Sequence, residues 1–235
     1  MKVGVVIIVF NLDVRVFLLQ VEAIKKFCSD DFAIEVIDNS TDLELSEPIR
    51  YHAGQQGVNY RKTNPTNADP SHSHGFALNL AYKILFEFYD YFFFLDHDCI
   101  PLKPFSVINI LGDKTIAGVQ VGIETKYYWP GCLMFNNKKV NRKYLNFNPI
   151  HHLRIDTGGQ TYRIINQTPD ECIFFDEVGH YNEAFRDTEL YYFYMVIHEG
   201  TFMHFLNSSN WNVTERNEER INSLINIAQE KINSL

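Results

Sequence analysis

The chain has little that could brace it covalently or bind it to a polyanion. Its four cysteines in 235 residues are widely spaced, at Cys28, Cys99, Cys132 and Cys172, and no C-x-x-C occurs. That pattern suits reduced thiols in a cytosol-like compartment better than a disulfide frame or a zinc site, so a cytoplasmic location is expected. No apolar run approaches the roughly 18 residues that would cross a bilayer, and no membrane span is expected. The opening "MKVGVVIIVFN" lacks a small-residue cleavage site and reads as a first strand. Basic residues are outnumbered 21 to 29, for a formal net charge of −8, and they nowhere cluster densely, which argues against nucleic acid as a partner. An anionic ligand would need something besides surface Lys and Arg to offset its charge. Internal repeats and low-complexity segments are also missing.

What is present is a core and an order of elements. Hydrophobic residues make up 46% of the chain, ample for one compact domain without covalent support. Val3 to Phe10 is a continuous, β-branched run of the kind covered on both faces. Next, Val14, Phe17, Leu18, Val21, Ile24 and Cys28 fall at helical spacing behind Asp13, a suitable N-cap. "FAIEVID" returns as a strand and ends in the polar turn "NSTD". Residues 51 to 72 read mostly as loop. A second helix follows, with Phe76, Ala77, Leu80, Ile84, Leu85 and Phe88 on one face and Ser71 or Ser73 as cap, and it leads into the strand "YFFFL". Strand–helix–strand order implies a parallel sheet with right-handed crossovers, whose ligands bind beyond the carboxyl ends of the strands. Asn11, Asp38 and Asp96 all stand at such ends. The second half is less regular, with "TIAGVQVG" and "GCLMFNN" as strands around the aromatic stretch "KYYWP". "DTGGQTYRIIN" opens a helix, "CIFFDEV" is another strand, and "GTFMHFLNSSNW" is a strand entering a loop. From Glu215, Ile221, Leu224, Ile225, Ala228, Ile232 and Leu235 make a terminal amphipathic helix that packs on the body or on a partner chain.

The pattern that asks for chemistry is "FFFLDHDCIPLKPF". Alternate residues of an extended segment share a face, so Asp96 and Asp98 are expected to point one way and His97 the other. Two carboxylates at a strand end suit a hard divalent cation, Mn²⁺ or Mg²⁺, that keeps positions open for phosphate oxygens. Such a cation would also let an acidic protein hold a diphosphate. The plain alternative is a pair of turn-capping aspartates.

This segment resembles the D-x-D of glycosyltransferases with the GT-A fold, which use nucleotide-sugar donors. "VGVVIIVFN" is similar to that family's first strand, and "EVIDNSTD" to the second-strand motif whose aspartate contacts the nucleobase. "SHSHGFALNLAYK" resembles the helix ahead of the D-x-D, and "FMHFLNSSNW" a late segment whose histidine completes the metal or diphosphate site. The segments agree in order as well as content, from about residue 3 to 211. The resemblance implies an α/β fold with an open, mostly parallel twisted sheet flanked by helices. It would form one catalytic domain over 1–214, with a nucleotide-binding half at 1–105 and an acceptor half at 106–214, and the helix 215–235 appended. It implies transfer of a sugar from a UDP- or GDP-sugar to a carbohydrate or glycoconjugate hydroxyl, with Mn²⁺ or Mg²⁺ as cofactor. Asp96, Asp98 and His204 would then hold the metal, although a lone His in an apolar strand is often a satisfied core residue. Asn11, Asp38, His74, Asn79, Asp96, Trp129 and Gly131 would face the donor, with His72 a further possibility. Trp129 offers an aromatic face to a sugar and Gly131 a close backbone approach.

An inverting transfer also needs a carboxylate to take the acceptor's proton. The family's Glu-Asp pair is missing here, which leaves Asp156, followed by two glycines, ahead of Asp187 in "FRDTELYYFY"; helix capping would explain either residue as well. Two other readings stay open. A haloacid-dehalogenase-like phosphatase also places D-x-D after an apolar strand, and a non-catalytic sugar- or nucleotide-binding module would use the same surface. The terminal helix leaves self-association possible.

Overall fold

A computed structural model describes residues 1–65, 69–186, 191–206 and 217–234. The first half alternates strand and helix: β1 (Val3–Val9), α1 (Val14–Phe27), β2 (Phe32–Asp38), α2 (Leu43–Gln55), β3 (Asn59–Lys62), α3 (Pro70–Leu85) and β4 (Tyr91–Asp96). After β5 (Cys99–Pro101) and the short α4 (Val107–Leu111) come β6 (Ile116–Val121), β7 (Tyr127–Asn136), α5 (Tyr162–Gln167), β8 (Cys172–Phe175) and β9 (Glu177–Tyr181). β10 (Tyr192–Ile197), β11 (Phe202–Phe205) and α6 (Asn217–Asn233) complete the described chain.

A seven-stranded sheet runs in the order β3-β2-β1-β4-β7-β6-β8. Every pairing in it is parallel except the two made by β7. A smaller antiparallel sheet, β5-β11-β10-β9, leans on its far side. β1 is buried at every position because it is covered on both faces. Val3, Val5, Ile7 and Val9 point into a core shared with α1, α2, α6 and the small sheet. Val6 and Ile8 point into a second core with α3 and the 145–147 loop. The strand thus reads as a continuous apolar run, not an alternating one.

Asp13 caps α1 as its position suggested, accepting from Arg15 N at 2.8 Å. Replacing Asp13 with alanine should cost about 1 kcal/mol in chemical denaturation, the usual worth of such a cap. Other boundaries moved. The end of α2 and all of β3 occupy ground read as loop, and the start of α2 lies where the sequence predicts no element. The helix contains Pro48 and buries only Ser46, Ile49 and Ala53, so it lacks a long apolar stripe. Asp69, not Ser71 or Ser73, caps α3, with Pro70 in its first turn. The buried face of α3 is Ala77, Leu78, Ala81, Tyr82 and Leu85, while Phe76, Ile84 and Phe88 are exposed. Small residues set that rotation: a Cβ on Gly75 would come within 2.7 Å of Phe147 O, so this side of the helix lies close against the 146–148 loop.

The aromatic stretch thought to separate two strands lies inside β7. Pro130 is tolerated there because it falls at the register shift between Gly118 and Gln120 and beyond the stretch that pairs with β4. "CIFFDEV" is two strands in two sheets, split at Asp176. α6 turns Ile221, Leu224, Ala228 and Ile232 into the main core. It is tied to α1 by Arg15 with Glu218 and Asn222 and by Lys26 Nζ donating to Ile232 O. Four residues of the apolar stripe are therefore buried within the chain, Ile225 is partly buried, and Leu235 lies outside the described residues.

Candidate active site

β4 ends at Asp96, and His97–Asp98 form a turn into β5. Asp98 is therefore not in an extended strand with Asp96, as expected, but in this turn, and each carboxylate faces its own histidine. His74 Nε2, from α3, lies 3.1 Å from Asp96 Oδ1, and His204 Nε2, from β11, lies 3.5 Å from Asp98 Oδ2. The turn is fixed from several directions. Gln20, fully buried on α1, donates to Asp96 O at 2.7 Å and to Cys99 O at 2.8 Å. His97 Nδ1 meets Ile8 O at 3.1 Å, and Phe205 N donates to Asp98 O at 2.9 Å.

The electrostatics couple the two carboxylates to the two histidines. Burial works against charge on His74, yet Asp96, and behind it Asp98 and Asp156, outweigh it and raise its pKa. The same contest at His204 is won by Asp98, then Asp96 and Glu177. Burial would lift the carboxyl of Asp96, but His74, His97 and His204 hold it below its ordinary value. The histidines and the carboxylates thus favour one another's charged forms. Arg220, buried on α6 and donating to Leu206 O and Phe193 O, adds a positive group within electrostatic reach of Asp98. Burial lowers the pKa of Arg220 to about 10. Asp96 Oδ1 is buried and accepts no well-aligned hydrogen bond. Two carboxylates beside an imidazole are the donor chemistry that Mn²⁺ or Mg²⁺ favours.

Trp129 closes one side, its ring 4.5 Å from that of His204. Gly131 is needed for this: a Cβ there would lie 2.0 Å from the indole of Trp129. The close approach expected of a ligand at Gly131 is made by the tryptophan. Asp156 is exposed, with Thr157 N donating to its Oδ1 at 2.7 Å, and acts electrostatically on His74. Gly158 and Gly159, at φ 131° and 44°, let this turn press on Tyr128 O and Asn146 O. They serve packing where room for an acceptor was expected. Asp187 lies outside the described residues.

Three expected donor contacts are instead occupied by the chain itself. Asp38 has no exposed surface and accepts from Tyr60 Oη at 2.6 Å, Ser46 Oγ at 2.7 Å and Ser40 N at 2.8 Å. Asn11, at φ 44°, accepts from Thr41 N and Asp42 N and joins β1 to the start of α2. Asn79 donates to Asn146 and Asn148 side chains and accepts from Phe147 N, holding α3 to that loop. His72 faces Asp69 and His151, away from the carboxylate pair. Gln20 and Arg220 were missed. Gln20 left a trace, as a polar residue within the helix's apolar stripe; Arg220 read as one more charge on an amphipathic helix.

No family model matches the sequence, and none of the curated proteins matches it. Solved structures do. The mannosyltransferase PcManGT from Pyrobaculum calidifontis, in complex with GDP-Man and Mn²⁺, is 13% identical and aligns with a TM-score of 0.53 over 73% of this chain and 54% of that one. The apo form of the glycosyltransferase GlyE from Streptococcus pneumoniae is 16% identical, with a TM-score of 0.45 over 74% of this chain and 45% of its own. A putative nucleotide-diphospho-sugar transferase from Desulfovibrio desulfuricans is 11% identical, with a TM-score of 0.45 over 73% and 78%. The chain spans about half the length of the first two. The likeness to PcManGT, with the sheet order, makes the fold GT-A-like.

Proposed function

We propose that this chain is a metal-dependent glycosyltransferase that moves a sugar from a UDP- or GDP-sugar to a hydroxyl on a glycan or a lipid- or protein-linked sugar. The supporting observation is the pair Asp96 and Asp98 at the carboxyl end of β4, each matched to a half-buried histidine, with Asp156 across from them. PcManGT, the similar structure of like fold, was solved with GDP-Man and Mn²⁺, which makes that pair of ligands the first to try.

Asp96, Asp98 and His204 would hold Mn²⁺ or Mg²⁺, which when bound would offset the charge gathering on the departing nucleoside diphosphate. Gln20 and His97 keep the turn from rearranging, so the carboxylates are already in place before a donor arrives. His74, whose pKa Asp96 raises against burial, stands beside the same carboxylate. Trp129 forms an apolar wall beside His204 for the donor sugar. Asp156, the most exposed carboxylate of the group, takes the proton of the acceptor hydroxyl as its oxygen attacks the anomeric carbon and the bond to the diphosphate breaks, giving inversion. No observation favours the phosphatase alternative over this reading. No described helix is long and apolar enough to cross a membrane.

Calorimetric titration with UDP and GDP, each with and without Mn²⁺, is the direct test. Metal-dependent binding of one of them is expected, and binding of neither would refute the reading. Asp156→Asn should then leave nucleotide affinity unchanged and lower kcat by about 10²–10⁴, the usual worth of a positioned base. An unchanged kcat would remove Asp156 from that role.

A further inference from the structure

A second cluster of ligand-bearing side chains lies away from the carboxylate pair. α3 begins at Asp69, whose Oδ2 stands 2.6 Å from His72 Nδ1 and 3.8 Å from His151 Nε2. Among the described residues these three form the group whose ligand atoms all lie within 4.8 Å of one another. The two imidazole rings are 4.9 Å apart. His72 and His74 are two residues apart on one helix, roughly 200° around its axis. His74 can therefore face Asp96 while His72 faces the opposite way, toward His151.

His151 is held there by its own backbone. Ile150 and Ile155 pair through both of their N–H groups, at 2.8 and 3.2 Å, closing a small hairpin with His151 near its tip. Asp156 follows directly, and Thr157 Oγ1 donates to Ser71 O on the first turn of α3 at 3.1 Å. The hairpin is thus fastened to α3 at its base and meets it again at Asp69, His72 and His151.

We propose that Asp69, His72 and His151 form a metal site distinct from the carboxylate pair, for Zn²⁺ or a similar borderline ion, which clamps the 150–155 hairpin to α3. Two imidazoles and one carboxylate, with a fourth position open, are a donor set that zinc and other borderline ions accept, whereas Mn²⁺ and Mg²⁺ favour sites rich in oxygen. Ligands about 2.0–2.1 Å from a tetrahedral Zn²⁺ are about 3.3 Å from one another. The observed 2.6 and 3.8 Å bracket that spacing, and all three side chains are free enough to adjust, at 48, 38 and 66% exposure for Asp69, His72 and His151. Bonds from His72 Nδ1 and His151 Nε2 leave the fourth position to water. If Asp156 is the base, as proposed above, the clamp sets how firmly it is held, but the metal site itself does not depend on that assignment.

The test uses the full chain stripped of metal by chelation and titrated with Zn²⁺, followed by Co²⁺ as a spectroscopic substitute. Asp98→Asn, which disables the other proposed metal site, should bind one equivalent of Zn²⁺ with a raised Tm and give the intense visible bands of four-coordinate Co²⁺, and wild type should bind at least that one. In the Asp98→Asn background, His151→Ala, a change at an exposed position, should weaken Zn²⁺ binding at least tenfold and abolish both the bands and the Tm rise. His72→Ala should do the same. Equal Zn²⁺ affinity with and without His151→Ala in that background would overturn the proposal, as would loss of the site in Asp98→Asn alone. Binding of no stoichiometric Zn²⁺ by the wild type would overturn it equally. None of these readouts involves a nucleotide, so the glycosyltransferase reading can fail or stand separately.

Discussion

Asp96→Asn is expected to abolish metal-dependent nucleotide binding and to lower turnover by on the order of 10³, comparable to removing a principal electrostatic stabiliser from an enzyme site. The substitution keeps shape and removes charge, so its effect separates electrostatics from packing. It removes one hard oxygen donor, and it also removes the group that does most to raise the pKa of His74. Burial lowers the pKa of that imidazole, and Asp96 is the first of the groups that overcome it. With asparagine in place the pKa of His74 falls. A missing metal ligand and a weaker positive charge at His74 then act in the same direction, which places the expected loss above that of a single contact. Calorimetry with GDP or UDP plus Mn²⁺, beside a steady-state assay on the matching donor, gives the answer. Retention of both metal-dependent binding and turnover would show that the carboxylate pair is only a capped turn. The fold should survive, because the backbone of the turn is held by Gln20, Ile8 and Phe205 and not by the Asp96 side chain.

That division between backbone and side chain explains which parts of the molecule could be seen in its sequence. β1, β2 and β4 are legible because a strand covered on both faces must be apolar at nearly every position, and α1 because its stripe is long and capped by Asp13. α2 escapes notice because it contributes few buried residues and contains a proline that ordinarily argues against a helix. β3 is a short, mostly exposed edge strand of Asn-Tyr-Arg-Lys, with no apolar run to announce it. The rotation of α3 was misjudged because the rule that large apolar residues face inward fails where a helix must approach a loop closely. There Gly75, Ala77 and Ala81 take the inner face and Phe76 the outer one. At the site, Asp96 and Asp98 stand out because a buried strand that ends in two charges is unusual. His204 carries a weaker signal, since its partner lies 106 residues away on a different strand. Arg220 carries less still, because the groups it donates to at Phe193 and Leu206 are backbone carbonyls that no side-chain pattern encodes.

Asp38 is where motif and structure part most sharply, and its removal should be costly to the fold. Its carboxylate is fully buried and joins β2, α2 and β3 through Ser40, Ser46 and Tyr60, with Lys62 Nζ at 3.4 Å. Asp38→Ala strands two hydroxyls and an N–H that now donate to it and leaves the Lys62 charge without its partner. Breaking a buried, charge-bearing network of this kind costs about 3–5 kcal/mol. At about 2–4 °C per kcal/mol for a chain of this size, Tm should fall by about 10 °C. The pH dependence has a definite sign. Burial works to raise the Asp38 pKa, but the hydrogen bonds from Ser40, Tyr60 and Ser46 overcome it and hold the folded-state value below the ordinary 3.8. The unfolded chain therefore takes up the proton first as pH falls. The contribution of Asp38 to stability is complete above about pH 4 and disappears as pH drops through the lower folded-state pKa. Wild type should lose this component on acidification, while Asp38→Ala, already lacking it, should show a shallower acid limb. The same variant separates the two roles this residue has been given. A group that pins the sheet edge costs Tm at neutral pH, whereas a group that only greets a nucleobase would cost nucleotide affinity and leave Tm unchanged. With every lone-pair direction of the carboxylate met from within the chain and none of it exposed, the loss is expected in Tm.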